Sequence, residues 1–346
     1  MSYSSRFAVL TIAAWTLILI LNYWSRERDQ TELRVKTAMG RVKYSRLAER
    51  VFFPNNFKLI AAAQPLPVLD FVNRPTCEQV FADWLKIAHS NSHPEKPPKE
   101  LVEPLRSEFL LNGYSTLIEE YRDNHAKGVP SKWNQINEWM KLPEHELQKI
   151  NPYGKQGMAV YRALQEYPPQ DMKGLIVGSI EPWVEVYALR NGAKEVLTVD
   201  YQNITITGTN KVEYIHPFDL VQRWQEFEGG FDFVISFSSI EHSGLGRYGD
   251  PLDPIGDLRE IWKITCFLKS KGYFYLGIPR GQDSVVFNLH RIYGVMRLAM
   301  VMTGFEWIAT YRGDSPVAVQ LTQNDLEYFS KNIGLVQQDL FVLRKL

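Results

Sequence analysis

The sequence predicts an α/β protein: a doubly wound, seven-stranded, mostly parallel sheet, preceded by an N-terminal transmembrane helix and a helical accessory region. Three observations predict it. Residues 174–201, GLIVGSIEPWVEVYALRNGAKEVLTVDY, read as strand, tight turn, helix, turn and strand. Short apolar runs and helical stripes then alternate to the C-terminus. At the other end, residues 7–24 form an uncharged apolar run.

In chain order, the first element is that run. Eighteen or so apolar residues are just long enough to span a bilayer core of about 30 Å as helix. Tyr23 and Trp24 sit where an interfacial belt would place them. A cleaved signal peptide would have a shorter apolar region, and no small-x-small site precedes Ser25. The reading is an uncleaved anchor holding the protein to a membrane. Orientation has two readings. Arg26, Arg28, Arg34 and Lys36 outweigh Arg6, which favours a cytosolic body. The layout of anchor, stem and body is instead that of Golgi enzymes with a luminal catalytic domain.

Residues 25–60 read as a polar stem and 61–150 as a helical accessory region. Val80, Phe81, Trp84, Leu85 and Ala88 make one helical stripe, with further helical segments at 110–121 and 133–140. Residues 90–100, SNSHPEKPPKE, are a charged proline-rich connector, and His89 and His93 are read as part of it rather than as metal ligands.

Residues 151–346 are the α/β body. A helix over 153–166 precedes the 174–201 unit, in which Glu181-Pro182 opens the helix and Gly192 closes it. VEYIHPFDL, FDFVISFSS, GYFYLGIP, FEWIATY and DLFVLRK supply the remaining strands. Helices fall at 258–268 and 289–302. Between strand four and the first of these, residues 240–257 carry no period, and long irregular loops in compact domains are usually functional.

Net charge is zero, with 39 basic and 39 acidic residues, so no basic field recruits nucleic acid. The only two cysteines, Cys77 and Cys266, exclude a disulfide scaffold and a zinc site. They are read as two buried free thiols; the alternative is one bridge, which requires an oxidising compartment.

Parallel strands joined by a helix place their ligand crevice beyond the carboxyl ends. Gly178 and Ser179 stand there after one strand and Asp200 after the next, a spacing suited to a ribose-bearing ligand. These residues, with Asp219 after the third strand and SSIEH after the fourth, resemble the class I S-adenosylmethionine-dependent methyltransferases, a Rossmann-like fold, over about 151–346. The runs EHSGLGRYGDPLDPIGDLREIW and NLHRIYG also resemble a largely nematode group of membrane-anchored proteins with this fold. The resemblance implies S-adenosyl-L-methionine as cofactor. It assigns Gly178, Ser179, Glu181, Asp200, Tyr201, Asp219 and Ser238 to cofactor binding. The first loop departs from the family in having Ile176 at its acid position and no second glycine; Glu181 would then meet the cofactor's ammonium.

For methyl transfer to a hydroxyl, a base is needed. His242 is the first candidate, with Glu241 to fix its tautomer or raise its basicity, and His290 is the second. Asp250, Asp253 and Asp257 are read as turn and cap residues before metal ligands. Arg247 and Tyr248 are candidates to touch the acceptor. The expected function is a membrane-anchored O-methyltransferase with a glycan or small-molecule acceptor, a fucose hydroxyl among the candidates. The alternatives are a catalytically silent binding or scaffold domain and a cytosol-facing methyltransferase of lipids or small molecules. Asn203-Ile204-Thr205 is a glycosylation sequon next to the expected crevice.

Overall fold

The structure, a computed structural model, describes residues 33–90, 97–122 and 131–346. The expected anchor at 7–24 and His93 lie outside the described residues. Among the described residues no helix is long and apolar enough to cross a membrane.

The body is a seven-stranded sheet. Its strands are β1 (Lys173–Val177), β2 (Glu195–Val199), β3 (Val212–Ile215), β4 (Phe231–Phe237), β5 (Leu268–Arg280), β6 (Phe305–Tyr311) and β7 (Gln337–Lys345). They lie in the order β3-β2-β1-β4-β5-β7-β6. Strands β1 to β5 pair parallel, and β7 runs antiparallel to both β5 and β6. This is the methyltransferase-like α/β arrangement that the sequence implied. The chain leaves β1 in one direction for β2 and β3 and returns on the other side for β4, so the switch point lies between β1 and β4.

Both faces of the sheet are covered, which is why its strands read as apolar runs rather than alternations. Leu175 of β1 and Val234 of β4 enter one core, while Ile176 and Ile235 enter the other. On one face lie α2 (Lys155–Glu166) and α3 (Trp183–Arg190), where Tyr161 packs edge-on against Tyr187 at 5.3 Å. On the other lie α4 (Gly256–Phe267) and α5 (Val295–Met302). Helix α5 starts later than the 289 expected, because 290–292 pairs as a strand with Ser284–Phe287. Asp283 caps the helix, accepting from the backbone N–H of Gly294, Met296 and Arg297 at 3.1, 3.0 and 2.9 Å.

The N-terminal part differs from the expected stem and helical region. Within 33–60, Val35, Tyr44, Leu47, Val51, Phe52 and Phe57 are buried in the α4/α5-side core, so these residues belong to the body. The accessory layer is mixed rather than helical. Strands Phe57–Ala61 and Val68–Phe71 form a hairpin, and Thr116–Glu119, expected as helix, pairs parallel with Ser284–Phe287. Ser131–Trp133 likewise pairs with Ile204–Ile206. Among the described residues of this layer, only α1 (Cys77–His89) is a substantial helix, opened by a reciprocal Thr76–Gln79 cap. His89 ends it, its Nδ1 hydrogen-bonded to the Leu85 carbonyl.

Helix α1 packs on α4, with Phe81 and Phe267 rings 5.1 Å apart. The two helices are also joined covalently. Cys77 and Cys266 form a disulfide with Cα atoms 5.7 Å apart, correcting the reading of two free thiols. Nothing local announces this pairing across 189 residues; only the docking of α1 on α4 brings the two side chains together.

Candidate active site

A cavity of about 630 Å³ opens at the carboxyl ends of β1, β2 and β4, at the switch point. Its rim is built first by the turn after β1. Gly178 sits at φ +76°, and a Cβ there would lie 1.9 Å from Ser239 Oγ, so the turns after β1 and β4 touch only because this residue is glycine. Ser179 N–H donates to Asp200 Oδ2 at 2.9 Å and Gln202 N–H to Oδ1 at 2.7 Å. Each carboxylate oxygen thus keeps an acceptor position for a ligand hydroxyl. Burial raises the Asp200 pKa, and these two N–H groups oppose the rise.

Behind the turn is a residue that the sequence reading missed. Glu185, fully buried on α3, accepts from Thr198 Oγ1 at 2.7 Å and lies 3.1 Å from Ser179 Oγ. Burial pushes it up to about 7. The Ser179 hydroxyl has two acceptors within reach, the Glu181 carbonyl at 2.8 Å and Glu185 Oε2 at 3.1 Å. Hydrogen bonding fixes the loop that lacks a second glycine. The signal was available: WVEVYAL places one acid inside a helix that is otherwise apolar on every face.

Of the expected cofactor residues, Gly178, Ser179, Glu181, Asp200, Tyr201 and Ser238 line the cavity. Asp219 does not. It is exposed on the first turn of helix Pro217–Gln222, whose Pro217 and Leu220 face the cavity instead. The sequence reading took 212–220 as one strand; Pro217 starts a helix and turns Asp219 outward.

His242 also lines the cavity. Its Nδ1 donates to the Leu289 carbonyl, which leaves Nε2 as the proton-accepting nitrogen. The expected helper does not act this way. Glu241 is buried off the cavity wall, 3.9 Å from Nε2, and its Oε1 accepts from Ser238 Oγ at 2.9 Å. Burial pushes Glu241 up to about 8, so at neutral pH it is mostly uncharged and neither orients the imidazole nor raises its basicity. Burial, then His290 nearby, lowers His242 to about 3. His290 stands outside the cavity on the short strand His290–Ile292, with its ring 6.1 Å from that of His242.

These shifts set the pH dependence of stability. Glu185 and Glu241 hold protons more tightly folded than unfolded. Their contribution is complete below about pH 4.5 and is lost as pH rises through about 7 to 8. His242 and His290, at about 3 and 4 against 6.5, contribute fully above 6.5 and lose that contribution as pH falls. Above 6.5 the two histidines are neutral in both states, and the raised carboxyls draw stability down as pH rises. The melting temperature should fall between about pH 6.5 and 8.5, and fall less in Glu241→Gln. A rise over this range, or an identical slope in the variant, would refute the assignment.

The 240–257 loop is held open by buried polar groups. Asp250 accepts from the N–H of Gly244, Gly246 and Tyr248 at 2.7, 2.9 and 3.0 Å. Asp253 pairs with Arg259 at 2.8 Å, and Asp257 with Arg297. Arg291, fully buried, donates to the carbonyls of Ser243, Asp253 and Pro254. All three aspartates are therefore committed to the loop's own structure. Arg247 and Tyr248 end up in the cavity wall.

Another part of the wall is one stripe of α4, Glu260, Lys263, Ile264 and Phe267. Its spacing of i, i+3, i+4, i+7 is legible in the sequence. Lys263 pairs with Glu260 at 2.7 Å and lies 4.4 Å over the Trp84 ring of α1.

No curated protein matches the chain. Among the solved structures that resemble it at low identity are the following three. One is a 1,6-didemethyltoxoflavin-N1-methyltransferase of Burkholderia thailandensis with bound S-adenosylhomocysteine (13% identity, 56% of this chain, 79% of that one, TM-score 0.38). Another is the N-methyltransferase NodS of Bradyrhizobium japonicum (9%, 62% and 97%, TM-score 0.35). The third is a TehB-like SAM-dependent methyltransferase of Corynebacterium glutamicum (15%, 54% and 86%, TM-score 0.34). The family described as "Caenorhabditis protein of unknown function, DUF268" matches residues 171–346. That span is more than half of the 346 residues and contains all of β1 to β7, so the chain belongs to this family.

Proposed function

We propose that the chain is an S-adenosylmethionine-dependent O-methyltransferase whose body faces an oxidising, luminal compartment. The observation that carries the enzymatic part is the cavity at the switch point with Asp200 on its rim. The residues present fit the cofactor. Asp200 has acceptor positions for ribose hydroxyls, and Val199, Leu220 and Phe267 offer an apolar slot for a base. Tyr153, Trp183 and Phe237, with Tyr153–Phe237 centroids 5.1 Å apart, offer aromatic faces to a cationic centre. Bound there, the cofactor would supply an electrophilic methyl group. His242 Nε2 accepts the proton of the acceptor hydroxyl, and the closed wall aligns the reacting groups.

Because its pKa is low, His242 stays unprotonated across the neutral range but is a weak base. Replacing it with alanine should lower turnover by about a hundredfold, the lower end for such groups, and leave cofactor affinity unchanged. Labelled methyl transfer to a panel of glycans and small molecules is the measurement. Unchanged turnover would remove His242 as base. A silent binding domain is the competing reading, favoured by the missing second glycine; it requires cofactor binding with no transfer to any acceptor.

The Cys77–Cys266 disulfide supports the luminal side, since such bonds persist in secretory compartments and are rare in the cytosol. It outweighs the flanking lysines and arginines, and it fits the Golgi layout with a glycan hydroxyl, fucose included, as acceptor. The sequon permits this orientation: Asn203 and Thr205 are exposed, and neither lines the cavity. Protease should spare the body in intact vesicles and digest it after detergent; digestion before detergent would place it in the cytosol.

A further inference from the structure

Three cations line the cavity among the described residues, Lys149, Arg247 and Lys263. Two have carboxylate partners: Lys149 is 2.7 Å from Glu146, and Lys263 is 2.7 Å from Glu260. Arg247 has none, and its Nε is buried without a hydrogen-bond partner. The two acids that flank it on the same loop do not answer its charge. Asp250 is committed to three backbone N–H groups, and Glu241 is mostly protonated at neutral pH. The guanidinium instead lies 5.0 Å over the Tyr248 ring, which itself packs 5.1 Å from His242. On the same side, His290 Nε2 is a second buried polar atom with no partner. A protein does not leave an arginine partly desolvated and uncompensated without cost, and a planar fork with free N–H groups matches an oxyanion.

Arg247 lies on the loop after β4, whereas Asp200 ends β2, and these two strands are two places, so roughly 10 Å, apart in the sheet. We infer that the ligand taken at the β4 end of the cavity carries a carboxylate, phosphate or sulfate group held by Arg247. Resting on the reading above, that ligand is the methyl acceptor: an acidic molecule, such as an acidic sugar, whose hydroxyl is presented to His242. Arg247 would thus select among acceptors and leave the cofactor's own site untouched.

The test uses the intact chain and inorganic probes. Sulfate, phosphate and acetate are titrated into protein with and without saturating S-adenosylhomocysteine, which separates tetrahedral anions from carboxylates. At least one should bind, and Arg247→Gln should weaken it by about tenfold or more, as expected for a charge-assisted pair. Arg247→Lys should retain part of the binding, and thermal melts should show all three proteins equally folded. S-adenosylhomocysteine affinity should stay within about twofold in Arg247→Gln. Absence of anion binding, or binding indifferent to the substitution, overturns the proposal. So does parallel loss of S-adenosylhomocysteine affinity, which would assign Arg247 to the methionine carboxylate. Should S-adenosylhomocysteine fail to bind wild type while the anion still binds through Arg247, the cofactor reading falls and the anion site stands.

Discussion

Replacing Cys266 with serine is expected to destabilise the protein by about 2–5 kcal/mol, the usual consequence of losing a native disulfide. The bond closes a separation of 189 residues, so its loss frees much of the unfolded chain. In the native state it fastens α1 to the C-terminal turn of α4. That turn carries Phe267 and, one turn earlier, Lys263 and Ile264, all in the cavity wall. Loss of the tie should therefore loosen the site as well as the fold. Denaturant unfolding of Cys77→Ser, Cys266→Ser and the double variant checks this. The double variant should match either single one, and a reductant should move wild type to the same curve without affecting the variants. Variant curves that superimpose on the wild-type curve, or a wild type insensitive to reductant, would show that the bond contributes nothing.

An effect of similar size is expected for Asp257→Asn. Asp257 is fully buried with Arg297 bonded to it, Arg291 Nε 3.7 Å away and the Tyr293 hydroxyl donating to it at 3.0 Å. The two arginines hold its pKa down to about 2, against the opposing effect of burial. Removing the carboxylate shared by both arginines leaves two buried guanidinium groups facing each other, which typically costs about 3–5 kcal/mol. The mechanism makes a second demand. Adding Arg297→Met to Asp257→Asn should recover part of the loss, because one of the two facing guanidinium charges is then gone. Urea unfolding of both singles and the double variant gives the coupling. Strict additivity would show that the loss is one of packing instead of charge.

How much of this was legible depends on whether the deciding interaction is local. The unit from β1 to β2 was readable because strands buried on both faces must be apolar throughout, and because Gly178 and Gly192 mark turns that need positive φ. Asp200 followed from its place at the end of β2. The segment 33–60 was misread because it buries its apolar side chains from short strands and turns; Val35, Tyr44, Leu47 and Phe57 follow no single period. Strand Thr116–Glu119 was taken for helix because its partner, Ser284–Phe287, lies far away in sequence. His242 was found on motif position, but its environment was not: the carbonyl that fixes its tautomer belongs to Leu289, on another loop. The neighbouring acid in sequence, Glu241, turned out to be a buried and largely neutral group.

The central claim is that the cavity grips a nucleoside through the carboxylate at the end of β2. Calorimetric titration of the intact chain with S-adenosylhomocysteine tests it most directly. The account predicts saturable binding, weakened by about a hundredfold in Asp200→Ala, as for two lost hydrogen bonds to a charged acceptor. Asp200→Asn, which keeps acceptor oxygen but not charge, should fall between the two. No heat with the wild-type chain, or binding that ignores Asp200, would contradict the account.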